Sequence, residues 1–131
     1  MKVMALDFGA ARTGVAVSDP TGVVARPLSV VERAAGEAGL AELARLVREQ
    51  QVETVVVGHP LTLRGERGEQ ARATERFAAA LRKAVDVPVV LFDERFTTNL
   101  AQQTPSGASE DARAAAHLLS GYLEWSASAR R

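Results

Sequence analysis

The sequence has 131 residues, a length that fits one domain with one hydrophobic core, and we expect a single domain over residues 1–131. Sixteen basic and sixteen acidic residues give a formal net charge of zero, which argues against a protein that coats nucleic acid through bulk positive charge. The absence of cysteine excludes disulfides and thiolate metal sites. No run of eighteen apolar residues and no basic-then-apolar leader is present, so we expect a cytoplasmic protein without a membrane span.

The first part of the chain predicts three strands in succession. Residues 2–8 and 14–18 are short apolar runs, close enough together to form a hairpin. Residues 19–22 (DPTG) have the composition of a turn, because proline presets its φ angle and glycine accepts a positive one. Residues 23–31 predict a poorer strand. Because Pro27 interrupts it and cannot donate a backbone hydrogen bond, we expect this strand at the edge of a sheet.

Helices and strands alternate in the remainder. Residues 36–51 carry leucine and valine at helical spacing, whereas residues 52–58 are continuously apolar and predict a central strand covered on both faces. A long helix begins near Glu69, a buried strand occupies residues 89–92, and a last helix begins near Ser109, a favourable N-cap. The order β-β-β-α-β-α-β-α predicts an α/β fold, with a five-stranded mixed sheet and helices on both faces.

One carboxylate stands out because an apolar strand leads to it. Asp7 ends the first strand, and a turn with two glycines and Arg12 follows. An acid in such a strand is costly to bury unless something pairs with it. A cation and flexible backbone beside Asp7 indicate that this partner is a phosphate, a metal ion, or both. The alternative is that Asp7 only accepts hydrogen bonds from backbone amides in its own turn.

Further acids lie where other elements end or begin. Asp93 and Glu94 follow the last strand, and Asp111 opens the last helix. Successive strand residues face opposite ways, so Asp93 and Glu94 cannot both face Asp7 unless the strand has already ended. Three converging carboxylates would suit Mg²⁺ or a similar hard cation. One alternative is that Asp93 or Glu94 forms an ordinary ion pair with Arg95. Another is that Asp111 has only a structural role, because a negative charge in the first turn of a helix interacts favourably with the helix dipole.

The loop of residues 59–68, HPLTLRGERG, opens a helix with two glycines and two arginines, Arg64 and Arg67. Amides at a helix start attract anions, so this loop and the arginines beyond it could hold a nucleic-acid backbone. The alternative is a solvated helix face on which glutamates cancel the charge. The arginines beyond the loop are Arg72 and Arg76, and the glutamates that would cancel the charge are Glu66, Glu69 and Glu75.

Three blocks of sequence then point to a family: LDFGAARTGVAVSD (residues 6–19), VVVGHPLTLRGERGEQA (residues 55–71) and DERFTT (residues 93–98). With them the chain resembles the YqgF-type family, also called RuvX, of Holliday-junction resolvases and pre-16S rRNA nucleases with an RNase H-like fold. A weaker fourth match surrounds Asp111.

The resemblance implies a nuclease that depends on Mg²⁺ or Mn²⁺, with Asp7, Glu94 and Asp111 as its catalytic metal ligands. It favours Glu94 over Asp93. The implied partner is nucleic acid, either structured RNA such as pre-rRNA or branched DNA, and a homodimer is expected if a junction is cut symmetrically. Substrate contacts are expected from six residues: Arg12, Arg64, Arg67, Arg95, Thr97 and Thr98.

The sequence departs from the family pattern in two places. Thr62 replaces the usual asparagine, and the segment before Asp111 is shorter than usual, with Pro105 and Gly107 where a helical turn is common. The second departure bears on where Asp111 lies. Two other classes remain open: a non-catalytic nucleic-acid-binding module, and an ATP-binding domain of the sugar-kinase and actin type, although that type normally uses two such domains.

Overall fold

The structure is a computed structural model that describes residues 1–96 and 109–129. Within these ranges the chain forms five strands and three α-helices in the predicted order, and a one-turn 3₁₀ helix follows the fifth strand. The elements are β1 (Val3–Asp7), β2 (Arg12–Ser18), β3 (Ala25–Glu32), α1 (Glu37–Glu49), β4 (Thr54–His59), α2 (Glu69–Ala84), β5 (Val89–Asp93), the 3₁₀ helix (Glu94–Phe96) and α3 (Glu110–Ala129).

The strands form one mixed sheet in the order β3-β2-β1-β4-β5. The first three strands are antiparallel neighbours, while β1, β4 and β5 run parallel. This confirms the predicted edge position of β3. Pro27 pairs with Ala16 immediately beside a shift of register between Val15 and Ala16, as expected where a proline removes a ladder donor. The central strand β4 is fully covered at Val55, Val56 and Val57, as predicted.

Helices cover both faces of the sheet, which is also as predicted. The core on one face combines strand residues with side chains of α1 and α2, and the core on the other face combines strand residues with α3. Alternation along each strand supplies both cores. In β1, for example, Met4 and Leu6 belong to the first core, whereas Val3 and Ala5 belong to the second. Asp7, which follows Leu6, therefore falls on the α3 face.

The predicted turn after β2 and the predicted N-cap of the last helix have the expected chemistry. The Asp19 carboxylate accepts hydrogen bonds at 2.8 Å from the amides of both Val23 and Val24, which closes the turn between β2 and β3. The Ser109 hydroxyl accepts a hydrogen bond from the Ala112 amide at 3.2 Å and caps α3. No helix among the described residues is long and apolar enough to cross a membrane.

Candidate active site

The carboxyl ends of β1, β4 and β5 meet at one edge of the sheet because these strands are parallel. Asp7 is the last residue of β1, and Glu94 opens the 3₁₀ helix that directly follows β5. Asp111 reaches the same edge from the first turn of α3. We call these three residues the acidic edge.

Gly14 brings the start of α3 next to Asp7. It pairs with Asp7 across β1 and β2, so both residues face the same side of the sheet. A Cβ atom on Gly14 would lie 1.9 Å from the carbonyl oxygen of Asp111. The backbone of α3 therefore passes directly over this glycine, at a distance that any side chain would prevent.

Gly58 makes the corresponding space for Glu94. Leu6 pairs with Val57, so Gly58 follows beside Asp7 on the neighbouring strand. A Cβ atom on Gly58 would lie 2.5 Å from Oε1 of Glu94 and 3.0 Å from a methyl group of Leu118 in α3. The Glu94 carboxyl thus lies over Gly58, on the same face of the sheet as Asp7.

The electrostatics of the acidic edge reflect this convergence. Burial raises the pKa of Asp7, and the negative charge of Asp111 raises it further. Burial also raises the pKa of Glu94, with a further contribution from Asp7, while His59 acts in the opposite direction. Two partly buried carboxyls thus feel like charges, which a bound cation would relieve.

The donor chemistry fits a hard divalent cation, because carboxylate oxygens are its preferred ligands. Within residues 1–96 and 109–129, no three Asp, Glu, His or Cys side chains are yet close enough together to hold an ion. Oδ2 of Asp111 instead lies 3.2 Å from Nε of Arg12. The assignment of Asp7, Glu94 and Asp111 as the three metal ligands therefore stays a prediction.

Asp93 lies apart from the acidic edge, in an ion pair with Arg95. Nη2 of Arg95 is 2.6 Å from Oδ2 of Asp93, and these hydrogen bonds lower the pKa of Asp93. Asp93 belongs to β5, whereas Glu94 begins the next element. The structure therefore distributes the two acids as strand alternation requires: Asp93 pairs with Arg95, and Glu94 approaches Asp7.

The predicted substrate-binding arginines differ in their availability. The side chain of Arg12 is 64% exposed despite its contact with Asp111, and Arg64 is exposed on the loop before α2. Arg67 is held by Glu75, with its Nη2 at 2.5 Å from Oε1 and its Nε at 2.8 Å from Oε2. Thr97 and Thr98 lie outside the described residues.

Glu75 connects three elements, which the sequence did not indicate. Its Oε2 lies 2.7 Å from Nε2 of His59 at the end of β4, and its other bonds hold Arg67. The hydrogen bonds from Arg67 and then from His59 lower the pKa of Glu75 to about 2. Together with the Arg76–Glu69 ion pair at 3.4 Å, this arrangement matches the solvated, charge-cancelled helix face that we considered as an alternative.

Comparison with known proteins shows the family of the chain. Residues 1–125 match the RuvX family, described as Holliday junction resolvase. The chain belongs to this family. A relative from Chloroflexus aurantiacus, named as a candidate pre-16S rRNA nuclease, is 48% identical over 101 residues, which span 77% of the chain and 66% of the relative. A relative of the same name from Chloroflexus aggregans is 42% identical over 131 residues, or 93% of the chain and 92% of the relative.

Among solved structures, RuvC of T. thermophilus in complex with a Holliday junction substrate has a TM-score of 0.65 against this RuvX-family chain. The alignment covers 97% of the chain and 96% of RuvC at 19% sequence identity. Together with the five-stranded mixed sheet, this similarity confirms the expected RNase H-like fold.

One of the two site-forming glycines of this RuvX-family member, Gly58, did have a signal in the sequence. Gly58 interrupts the apolar run VVVGH, and a glycine inside a strand often marks a close approach by another part of the chain. The contact between His59 and Glu75 had no such signal. Glu75 is distant from His59 in sequence, and their contact depends on how α2 packs against the sheet.

Proposed function

We propose that this chain is a divalent-metal-dependent nuclease that hydrolyses phosphodiester bonds at the acidic edge and acts in the cytoplasm. The observation that carries the proposal is the convergence of Glu94 and Asp111 on Asp7, each beside a glycine that leaves room for it. Costly like-charge contacts of this kind are typical of sites that bind a cation.

Asp7, Glu94 and Asp111 would hold Mg²⁺ or Mn²⁺. When bound, such an ion activates a water molecule and stabilises the charge that develops on the phosphate. The protein would supply the ligands in ionised form, and a bound cation would favour that form at Asp7 and Glu94, whose pKa values are raised. Arg12 lies beside Asp111 and is mostly exposed, so we assign it to the phosphate backbone near the cut.

Arg64 is the second cation that we assign to the nucleic-acid backbone. It is exposed on the loop that follows β4, at the sheet edge that carries the acids, and it makes no ion pair with any part of the chain that the structure describes. Arg67 is less suited because Glu75 already binds its guanidinium. Thr97 and Thr98 remain predicted substrate contacts.

Pre-16S rRNA is the substrate that we place first, because the relatives are named for it. The family description supports a four-way DNA junction as the second candidate. Symmetric cutting of a junction needs two active sites, and therefore a homodimer.

The decisive experiment compares wild-type protein with Asp7→Asn on two end-labelled substrates. These are an RNA that carries the 5′ end of pre-16S rRNA and a four-way DNA junction, each with Mg²⁺, Mn²⁺ or EDTA. We expect metal-dependent cleavage that falls at least about 100-fold in Asp7→Asn. Asp86→Asn is the matched control, because Asp86 is exposed in the connection before β5, at the opposite edge of the sheet.

Three outcomes would contradict the proposal. Cleavage that survives in Asp7→Asn would move the chemistry away from the acidic edge. Binding without cleavage in every metal, equal in wild type and variant, would indicate a non-catalytic nucleic-acid-binding module. Thermal stabilisation by ATP, in a protein that cleaves neither substrate, would favour the ATP-binding class.

A further inference from the structure

Arg95 is engaged on several sides within the protein. Its Nε lies 3.0 and 2.9 Å from the two carboxylate oxygens of Asp93, and its Nη2 donates to Oδ2 at 2.6 Å. Its Nη1 donates to the carbonyl oxygen of Leu63 at 3.3 Å. The Arg95 amide also donates to Oδ1 of Asp93 at 2.9 Å. This fork geometry uses the donors that a bidentate phosphate contact would need.

The same guanidinium lies against a tight turn, residues 62–66. The Gly65 amide donates to the Thr62 carbonyl at 2.8 Å, and the Thr62 amide donates to the Glu66 carbonyl at 3.0 Å. The φ angle of Gly65 is +82°, a conformation that favours glycine. A Cβ atom on Gly65 would lie 3.2 Å from Nη1 of Arg95, so the turn and the guanidinium are in contact.

We propose that Arg95 is a positioning residue that fastens the 62–66 turn to the end of β5 and thereby holds Glu94 at the acidic edge. Glu94 lies between Asp93 and Arg95 in the chain, and one ion pair immobilises both of its neighbours. Asp93 and Arg95 bind each other, and the Glu94 side chain between them lies over Gly58. The role in catalysis rests on the proposed nuclease function, and it replaces the expectation that Arg95 contacts substrate.

Kinetics separate the two roles of Arg95. In Arg95→Ala and Asp93→Ala we expect kcat to fall about 10- to 100-fold, as when a catalytic group moves by a fraction of an ångström to one ångström, with KM unchanged. The double variant is expected to lose no more than either single variant, because both changes break one interaction. Arg95→Lys is expected to behave like Arg95→Ala, because lysine keeps the charge without the fork.

The matched control is Arg45→Ala, which removes an arginine from ion pairs with Glu42 and Glu49 on α1. It should leave kcat and KM unchanged. A substrate contact would give the opposite pattern: Arg95→Ala would raise KM at constant kcat and reduce the salt dependence of nucleic-acid binding by about one phosphate contact. Arg95→Lys would then restore binding. Either that pattern, or no change in any parameter, would overturn the proposal.

A second measurement does not depend on cleavage. By nuclear magnetic resonance, Arg95→Ala and Asp93→Ala should speed hydrogen exchange of the Gly65 amide and shift the side-chain carboxyl resonance of Glu94, whereas Arg45→Ala should do neither. If the wild type cleaves no substrate, the nuclease proposal fails while this test still decides whether Arg95 positions Glu94. An unchanged Glu94 resonance in both variants would refute the positioning role.

Discussion

The partly buried position of the Asp7 carboxylate destabilises the metal-free fold, and the same position suits the metal binding that we propose. This carboxylate is partly buried beside a second negative charge, so the fold without metal is less stable than it would be with an uncharged group there. We predict that Asp7→Asn raises the thermal midpoint in EDTA by a few degrees. Mg²⁺ or Mn²⁺ should stabilise the wild type but not the variant, as scanning calorimetry would detect. A variant less stable than the wild type in EDTA would contradict this account.

The same residue gives a pH dependence with a definite sign. Because the pKa of Asp7 in the fold is raised above its ordinary value of 3.8, the folded state holds its proton to higher pH than the unfolded chain does. The contribution of Asp7 to the free energy of unfolding therefore falls as the pH rises from 3.8 through the raised value. In EDTA, the stability advantage of Asp7→Asn should be absent at low pH and grow across this window. Urea unfolding at a series of pH values measures the difference.

Gly58 offers a direct test of the space beneath Glu94. In Gly58→Ala the new methyl group would lie 2.5 Å from Oε1 of Glu94, and the carboxyl, as the end of a flexible side chain, would have to move. We expect about 10- to 100-fold lower cleavage with the fold retained. Gly68→Ala is the matched control, because a Cβ atom there meets nothing within 4 Å. Equal cleavage by Gly58→Ala and Gly68→Ala would show that the position of Glu94 does not matter.

Among the helices, α2 supports the site through its packing. Phe77 of α2 is 2% exposed, and its ring stacks on Phe8, the residue after Asp7, at 4.4 Å between centroids. Phe77→Ala should cost about 3–5 kcal/mol of unfolding free energy, through lost burial and the cavity left behind. Chemical denaturation measures this loss, with Ala80→Gly on the same helix as the comparison for backbone propensity, at about 1 kcal/mol. A similar loss in both variants would contradict the packing role.

The ion pairs that join the β4–α2 connection to α2 should contribute to stability in a pH-dependent way. The pKa of Glu75 is about 2, below its ordinary value of 4.5, because of Arg67 and then His59. Its ion-pair contribution should therefore be complete above pH 4.5 and disappear as the pH falls to about 2. The stability difference between wild type and Glu75→Gln, measured by urea unfolding, should shrink over that interval. A difference independent of pH would mean that Glu75 acts without its charge.

If the whole protein cuts four-way DNA junctions, its oligomeric state can be predicted. Two symmetric cuts require two acidic edges, so the active species on a four-way junction should be a dimer. Mixed dimers of wild type and Asp7→Asn should then nick one strand of the junction instead of cutting two. Sedimentation with the junction, followed by strand-specific labelling, tests both points. A stable monomer that cuts both strands would exclude the dimer.

The sequence predicted the order and type of the elements, but it predicted only part of the contacts around the acidic edge. Apolar runs and their alternation predicted the strands, and Pro27 predicted the edge position of β3, because these features depend on local chemistry. Asp7 was singled out for the same reason, and its role stays a prediction. The ion pair of Arg95 with Asp93 was among the alternatives considered from the sequence. The choice between Asp93 and Glu94 depended on where β5 ends, and the contacts of Arg95 with the Leu63 carbonyl and of His59 with Glu75 depended on loop paths. Such contacts join distant parts of the chain and leave no local pattern.

Under the proposed function, the docking of α3 over Gly14 would also set the point during synthesis at which the protein becomes active. Asp7 leaves the ribosome early, whereas Asp111 and the helix that covers the second face of the sheet emerge much later. Domains of this size form their long-range contacts only once the partners are available. A nascent chain whose α3 is still inside the ribosome therefore lacks Asp111 at the acidic edge, so the nuclease that we propose would stay inactive until its synthesis is complete.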